Sequence, residues 1–71
     1  MAHRGLVHHA ETAEYYCGFA AALAAFHRWT GEPEKVLAVM EGEGIDVETL
    51  EAADIAPEDL SEIEKALQNA R

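Results

Sequence analysis

The sequence predicts an all-α fold, a small helical bundle with one long Ala-rich N-terminal helix and three short helices. No segment alternates apolar and polar residues over the length of a strand. Residues 15–26 form an uncharged run of twelve mostly apolar residues, and helix-start signals precede three shorter segments. A chain of 71 residues is expected to make a single domain, residues 1–71.

The first helix is predicted over residues 6–30, with Gly31 as a left-handed C-cap. At 3.6 residues per turn it carries two apolar faces. One is bulky and consists of Tyr15, Phe19, Ala22, Phe26 and Trp29. The other lies nearly opposite and is built mostly of small residues: Leu6, Ala10, Ala13, Cys17, Ala20, Ala24 and His27, widened by Gly18, Ala21 and Ala25. A helix that is apolar on two sides is expected to be buried on both.

Three short helices are predicted over residues 33–41, 47–53 and 57–70, within an acidic segment, residues 33–70. The pattern Ile-x-(Val/Pro)-Glu-x-Leu occurs at residues 45–50 and again at residues 55–60. With N-caps at Asp46 and Ala56, each Ile and Leu occupies the two positions of a hydrophobic staple. Pro33 and Pro57 suit the first turn of a helix, where a missing N–H costs nothing.

The two faces of the first helix predict a homodimer. The short helices carry enough aliphatic residues to cover the bulky face, but they are too short to wrap the other side as well. The small-residue face is therefore expected to meet a second copy, through Ala10, Ala13, Cys17, Gly18, Ala20, Ala21 and Ala24. The most buried side chains are expected to be Phe19, Leu23, Phe26, Leu50, Leu60, Ile63 and Leu67.

The charge is lopsided, and this restricts the class of partner. The net charge is −9, yet residues 1–31 sum to zero, whereas residues 32–71 hold twelve acids against three bases. Nucleic acids and anionic membranes are poor partners, because binding them requires Lys and Arg to neutralise phosphates. A basic protein is the natural counterpart. The alternative is that the acids serve only solubility.

A cytoplasmic location is expected, in a host cytoplasm if the chain is phage-encoded. Cys17 is the single cysteine, so no disulfide forms within the chain, which fits a reducing compartment. The apolar run is shorter than the roughly 20 residues of a membrane span. Acidic residues at Glu11 and Glu14 stand where a signal peptide would be basic.

No active site, cofactor site or metal site is predicted, and the chain is not expected to be an enzyme. The possible metal ligands lack the spacing of a zinc site: His3, His8, His9, His27, Glu11, Glu14 and Cys17. Residues 41–52 fail as a calcium loop, because Ile45 and Asp46 stand where an oxygen ligand and a glycine are required. Ser61 has no histidine near it in sequence, and Cys17 is interpreted as a small core residue.

Two functions remain. The first is an acidic inhibitor that occupies the basic nucleic-acid-binding surface of a target, as phage anti-defence proteins (anti-CRISPRs among them) and antitoxins do. Its predicted contact residues are Glu41, Glu43, Asp46, Glu48, Glu51, Asp54, Glu58, Asp59, Glu62 and Glu64. The second is a helical structural or adaptor subunit that homodimerises and meets its partner through apolar surface. Solvated helices usually interleave Lys with the acids at i+4, and here only Lys35 and Lys65 do so, which favours the inhibitor.

Overall fold

Residues 3–71 fold into four α-helices. The computed structural model describes the backbone of residues 3–71 and the side chains of residues 13–71. The helices are α1 (His3–Thr30), α2 (Pro33–Glu43), α3 (Val47–Ala52) and α4 (Pro57–Ala70). Residues 3–71 contain no strand, which confirms the predicted all-α fold.

The helix ends follow local backbone chemistry. Gly31 adopts a left-handed φ of 64° and donates its N–H to the carbonyl of His27 at 2.8 Å, which ends α1 as predicted. The second helix continues two residues past its predicted end, to Glu43, because Gly42 stays helical and Gly44 instead takes the left-handed cap at φ 69°. Helix α1 begins at His3, three residues before its predicted start. Helix α3 ends at Ala52, one residue before its predicted end.

The two predicted hydrophobic staples lie at the starts of α3 and α4. Asp46 caps α3, since its Oδ1 accepts hydrogen bonds from the Thr49 N–H at 2.8 Å and from the Thr49 hydroxyl at 2.7 Å. These two hydrogen bonds lower the pKa of Asp46, and the bond from the Thr49 hydroxyl has the larger effect. Ala56 precedes Pro57 at the start of α4, as predicted. The staple residues are buried except at position 60, which is half-buried: Ile45, Leu50, Ile55 and Leu60.

Helix α4 packs against all three other helices and so organises the core. The buried apolar side chains come from every helix and from two of the three connections: Ala20, Leu23, Ala24, Val36, Met40, Ile45, Leu50, Ile55, Ile63, Ala66 and Leu67. Among the described side chains the one buried polar group is His27, which is 7% exposed.

The orientation of α1 corrects the predicted dimer interface. Ala20 and Ala24 are completely buried inside the monomer, so they are not available to a second copy. The physical reason is complementarity of size: the short helices supply bulky aliphatic side chains, and the small residues of α1 leave room for them at interior packing density. Ala13, Cys17, Gly18 and Ala21 are exposed. Ala10 lies outside the described side chains.

The predicted core is correct on the short helices and partly wrong on α1. Leu23, Leu50, Ile63 and Leu67 are buried, as expected. Phe19 and Phe26 are only half-buried at the edge of the core, as is Leu60. Cys17 is also exposed, with its Sγ 3.9 Å from the carbonyl of Ala53, so its interpretation as a core residue is wrong.

Among the described residues, none of the helices combines the length and the apolar composition that a transmembrane span requires.

Candidate protein-binding surfaces

Seven carboxylates form a continuous acidic stretch along the second half of the chain. They lie at the end of α2, at the N-cap of α3, along α3, in the loop after α3 and at the start of α4, and every one of them is exposed. Residues 41–58 contain no Lys or Arg. We name this set the acidic surface: Glu41, Glu43, Asp46, Glu48, Glu51, Asp54 and Glu58.

No basic side chain that the structure describes forms an ion pair with the acidic surface, although Arg71 lines a groove together with Glu41, Asp46 and Glu48. Among the described side chains, the ion pairs within 4 Å join His27, Arg28 and Lys35 to carboxylates outside this set. Lys35, for example, pairs with Glu32 at 3.3 Å within the first turn of α2. The seven carboxylates are therefore exposed to solvent, without an ion pair to any described basic side chain.

Two of the ten predicted contact residues belong to a different arrangement. Nδ1 of His27 lies 2.7 Å from Oε2 of Glu62, and this hydrogen bond joins α1 to α4. Arg28 adds two longer ion pairs, 3.6 Å to Asp59 and 3.9 Å to Glu62. Asp59 and Glu62 are largely covered, with side chains 17% and 16% exposed. These carboxylates connect α4 to α1, and we name the four residues His27, Arg28, Asp59 and Glu62 the α1–α4 ion cluster.

The pKa of Glu62 is lowered by this arrangement. Its hydrogen bond to His27 is the main cause, and the positive charges of Lys65 and Arg28 act in the same direction. Partial burial opposes the shift without cancelling it. Glu62 is therefore held in its ionised form at neutral pH.

The remaining predicted contact residue, Glu64, is not one of the seven exposed acids. It is half-buried on α4 and lines a groove of about 280 Å³ together with Val47, Leu67, Gln68 and Arg71. The ten predicted residues thus divide into seven exposed acids, two members of the ion cluster and this one.

A larger groove lies beside the acidic surface. It has a volume of about 350 Å³. Its lining combines an apolar floor with charged groups at the rim: Leu37, Met40, Ile45, Val47 and Leu67, with Glu41, Asp46, Glu48 and Arg71. An aliphatic chain that ends in a positive charge suits such a lining, because the stem contacts apolar atoms while the charge reaches carboxylates.

A second surface is apolar and lies on α1 and α2. Trp29 is 91% exposed and Tyr15 is 52% exposed, which is unusual for such large apolar side chains. The Tyr15 ring stacks on Phe19 with centroids 6.1 Å apart. A shallow groove of about 310 Å³ runs along this surface. We name it the aromatic face: Tyr15, Phe19, Ala22, Phe26, Trp29 and Val39.

Sequence reasoning missed the α1–α4 ion cluster, although one signal was present. His27 follows Ala20 and Ala24 at intervals of seven and three residues, so it shares their face of α1. A histidine on a buried face needs a polar partner. The partner, Glu62, precedes the buried Ile63 on α4.

No group of three or more His, Cys, Asp or Glu side chains is arranged to hold a metal ion within residues 13–71. His3, His8, His9 and Glu11 lie outside the described side chains, so the expectation that the chain binds no metal stays a prediction.

Comparison with models of known protein families, with curated proteins and with solved structures gave no significant match.

Proposed function

We propose that this chain is a small acidic inhibitor that binds a basic protein. Its acidic surface would occupy the nucleic-acid-binding surface of that protein, in the manner of phage anti-defence proteins or antitoxins, within the cytoplasm. It would bind neither nucleic acid nor membrane itself, and it would carry out no catalysis. The observation that carries the proposal is the set of seven exposed carboxylates in residues 41–58, without one Lys or Arg among them.

The electrostatics of this surface favour binding over mere solubility. Neighbouring like charges repel one another and destabilise the compact state, so a surface of a single sign carries a cost that mixed charges avoid. Among the described side chains, none of these carboxylates has an ion pair within 4 Å: Lys35 pairs with Glu32, and Arg71 lines the groove beside the acidic surface without forming such a pair. A partner rich in Arg and Lys would remove this repulsion and would be steered to the surface by long-range attraction.

The groove beside the acidic surface supports the same class of partner. An inserted Lys or Arg would place its stem on Met40, Ile45 and Leu67, and its charge near Asp46 or Glu48. Carboxylates that contact Arg or Lys would take the place of the phosphates that such a side chain binds in nucleic acid.

The test is capture of the target by the tagged full chain from bacterial lysate, followed by competition with double-stranded DNA. We expect DNA to release the captured protein, because both ligands use the same basic surface. Reversing two charges with Glu48→Lys and Glu51→Lys should abolish capture, since both sites lie in the acidic surface.

A matched control separates local charge from total charge. The double variant Glu14→Lys with Glu34→Lys has the same net charge and also alters two exposed acids. Glu34 lies in the first turn of α2, just as Glu48 lies in the first turn of α3. It should retain capture. Equal loss of capture in both variants would contradict a specific role for the acidic surface.

The aromatic face favours a second candidate, an adaptor subunit that meets its partner through apolar contacts. A Trp that is 91% exposed supports an apolar interface. Under this function, capture would resist both salt and DNA, and Trp29→Ser would abolish it while the Glu48 and Glu51 reversals would not.

A further inference from the structure

We infer that the aromatic face is the interface of a symmetric homodimer, with α1 packed antiparallel against α1 of a second copy. This surface differs from the small-residue face that the sequence pattern suggested, and the inference does not depend on the proposed inhibitor function. Three properties of the face point to a second copy of the chain as its occupant.

The first property is self-complementarity. Tyr15 and Phe19 stand seven and three positions before Ala22. Phe26 and Trp29 stand four and seven positions after it. An antiparallel copy centred on Ala22 would therefore bring Tyr15 to Trp29 of the other chain, and Phe19 to Phe26. A two-fold interface requires such reciprocal pairing. Ala22, small and exposed, would let the two helices approach closely at the axis.

The second property is the location of the charge. Residues 41–71 contain ten acids and two bases, whereas residues 13–40 contain three acids and two bases. The aromatic face thus belongs to the nearly neutral part of a strongly acidic chain. A dimer formed there avoids bringing two acidic surfaces together, which would otherwise oppose self-association.

The geometry of α1 keeps the acidic α3 away from this face. Cys17, which approaches Ala53 next to α3, lies about 120–180° around the helix from the residues of α1 in the aromatic face. The carboxylates of α3 would consequently remain exposed in the dimer and available to partners.

The third property is area. A standard interface buries about 800 Å² of each partner, and roughly 65% of that area is apolar in homodimers, which requires about 500 Å² of apolar surface. Trp29 and Tyr15 at their observed exposures contribute on the order of 300 Å². Val39 and the exposed edges of Phe19 and Phe26 bring the face close to the required size.

The experiment is sedimentation of the full chain over a range of micromolar concentrations, with two matched variants. We expect a species of twice the 7.8 kDa chain mass that dissociates on dilution. Ala22→Arg should raise the dissociation constant at least about tenfold, because two like charges would meet at the axis. Ala21→Arg, at the neighbouring exposed position on the small-residue side, should leave dimerisation unchanged.

A second readout uses Trp29, the single tryptophan. Its fluorescence should shift to shorter wavelength and resist quenching as the unmodified chain is concentrated, because dimerisation buries it. Circular dichroism checks that both variants fold. A monomer at every concentration would overturn the inference, as would a dimer that Ala21→Arg disrupts and Ala22→Arg does not, or a dimer in which Trp29 stays fully quenchable.

Discussion

At the scale of single residues, the contact between His27 and Glu62 is the shortest polar contact that the described side chains of α1 make with another helix. The two side chains meet at 2.7 Å, and both are largely shielded from water. A pair of this kind is costly to break from one side, because the partner left behind remains buried and unsatisfied. Truncating Glu62 should therefore affect stability more than truncating an acid of the acidic surface that, unlike the N-cap Asp46, makes no side-chain hydrogen bond, such as Glu48.

The Glu62→Gln variant tests this link through the pH dependence of stability. Its melting temperature should be lower than that of the unmodified chain at pH 7. Because the folded state lowers the pKa of Glu62, the carboxylate contributes stability above its unfolded pKa and loses that contribution as pH falls through the folded value. The difference in melting temperature should therefore shrink below about pH 4. A difference that stays constant from pH 7 to acid would show that the Glu62 charge is not responsible.

At the scale of helices, α1 explains what could and could not be predicted from the sequence. Caps and starts depend on neighbouring residues, so Gly31, Asp46 and Pro57 were assigned correctly. The inward face of α1 depends on which helix packs against it, and apolar periodicity alone does not distinguish two apolar faces. Steric fit between α1 and the bulky short helices selected the small-residue face, with Ala20 and Ala24 inside.

In the candidate site too, local features could be predicted from the sequence and contacts between distant residues could not. Exposure of the acids from Glu41 to Glu58 could be anticipated, since carboxylates in short helices and loops are rarely buried. The sequence could not predict that Asp59 and Glu62 are separate from that set. Their separation depends on the proximity of His27 and Arg28, which are more than 30 residues away in sequence.

Enlarging the buried alanines tests the orientation of α1. Ala24→Leu should destabilise the fold by about 1–3 kcal/mol, because it overfills a closely packed core. Ala21→Leu, one turn away and exposed, should change the free energy of unfolding by no more than about 0.5 kcal/mol. Urea denaturation of both variants measures the two values. A larger effect at position 21 than at position 24 would place the opposite face of α1 inside.

At the scale of the whole molecule, the charges are segregated. The nearly neutral residues 13–40 carry the aromatic face, and residues 41–71 carry the acidic surface. Such a molecule can associate through one region and bind a basic partner through the other. The repulsion among its carboxylates acts across the second region and lowers its stability at low ionic strength.

Added salt should therefore raise the melting temperature of the unmodified chain. Screening becomes effective for charges farther apart than about 10 Å at 0.1 M salt, so the rise should be steepest at low ionic strength. The Glu48→Lys, Glu51→Lys variant should respond less than the Glu14→Lys, Glu34→Lys variant of equal net charge. Equal responses would show that total charge matters and its clustering does not.

The proposed function requires that the acidic surface recognise its partner electrostatically. The most direct measurement is the association rate constant with the captured partner, followed over a series of salt concentrations. We predict a steep fall of this rate constant with added salt, a lower rate for the Glu48→Lys, Glu51→Lys variant, and an unchanged rate for the Glu14→Lys, Glu34→Lys control. A rate constant that is indifferent to salt and to the Glu48 and Glu51 reversals would contradict the claim.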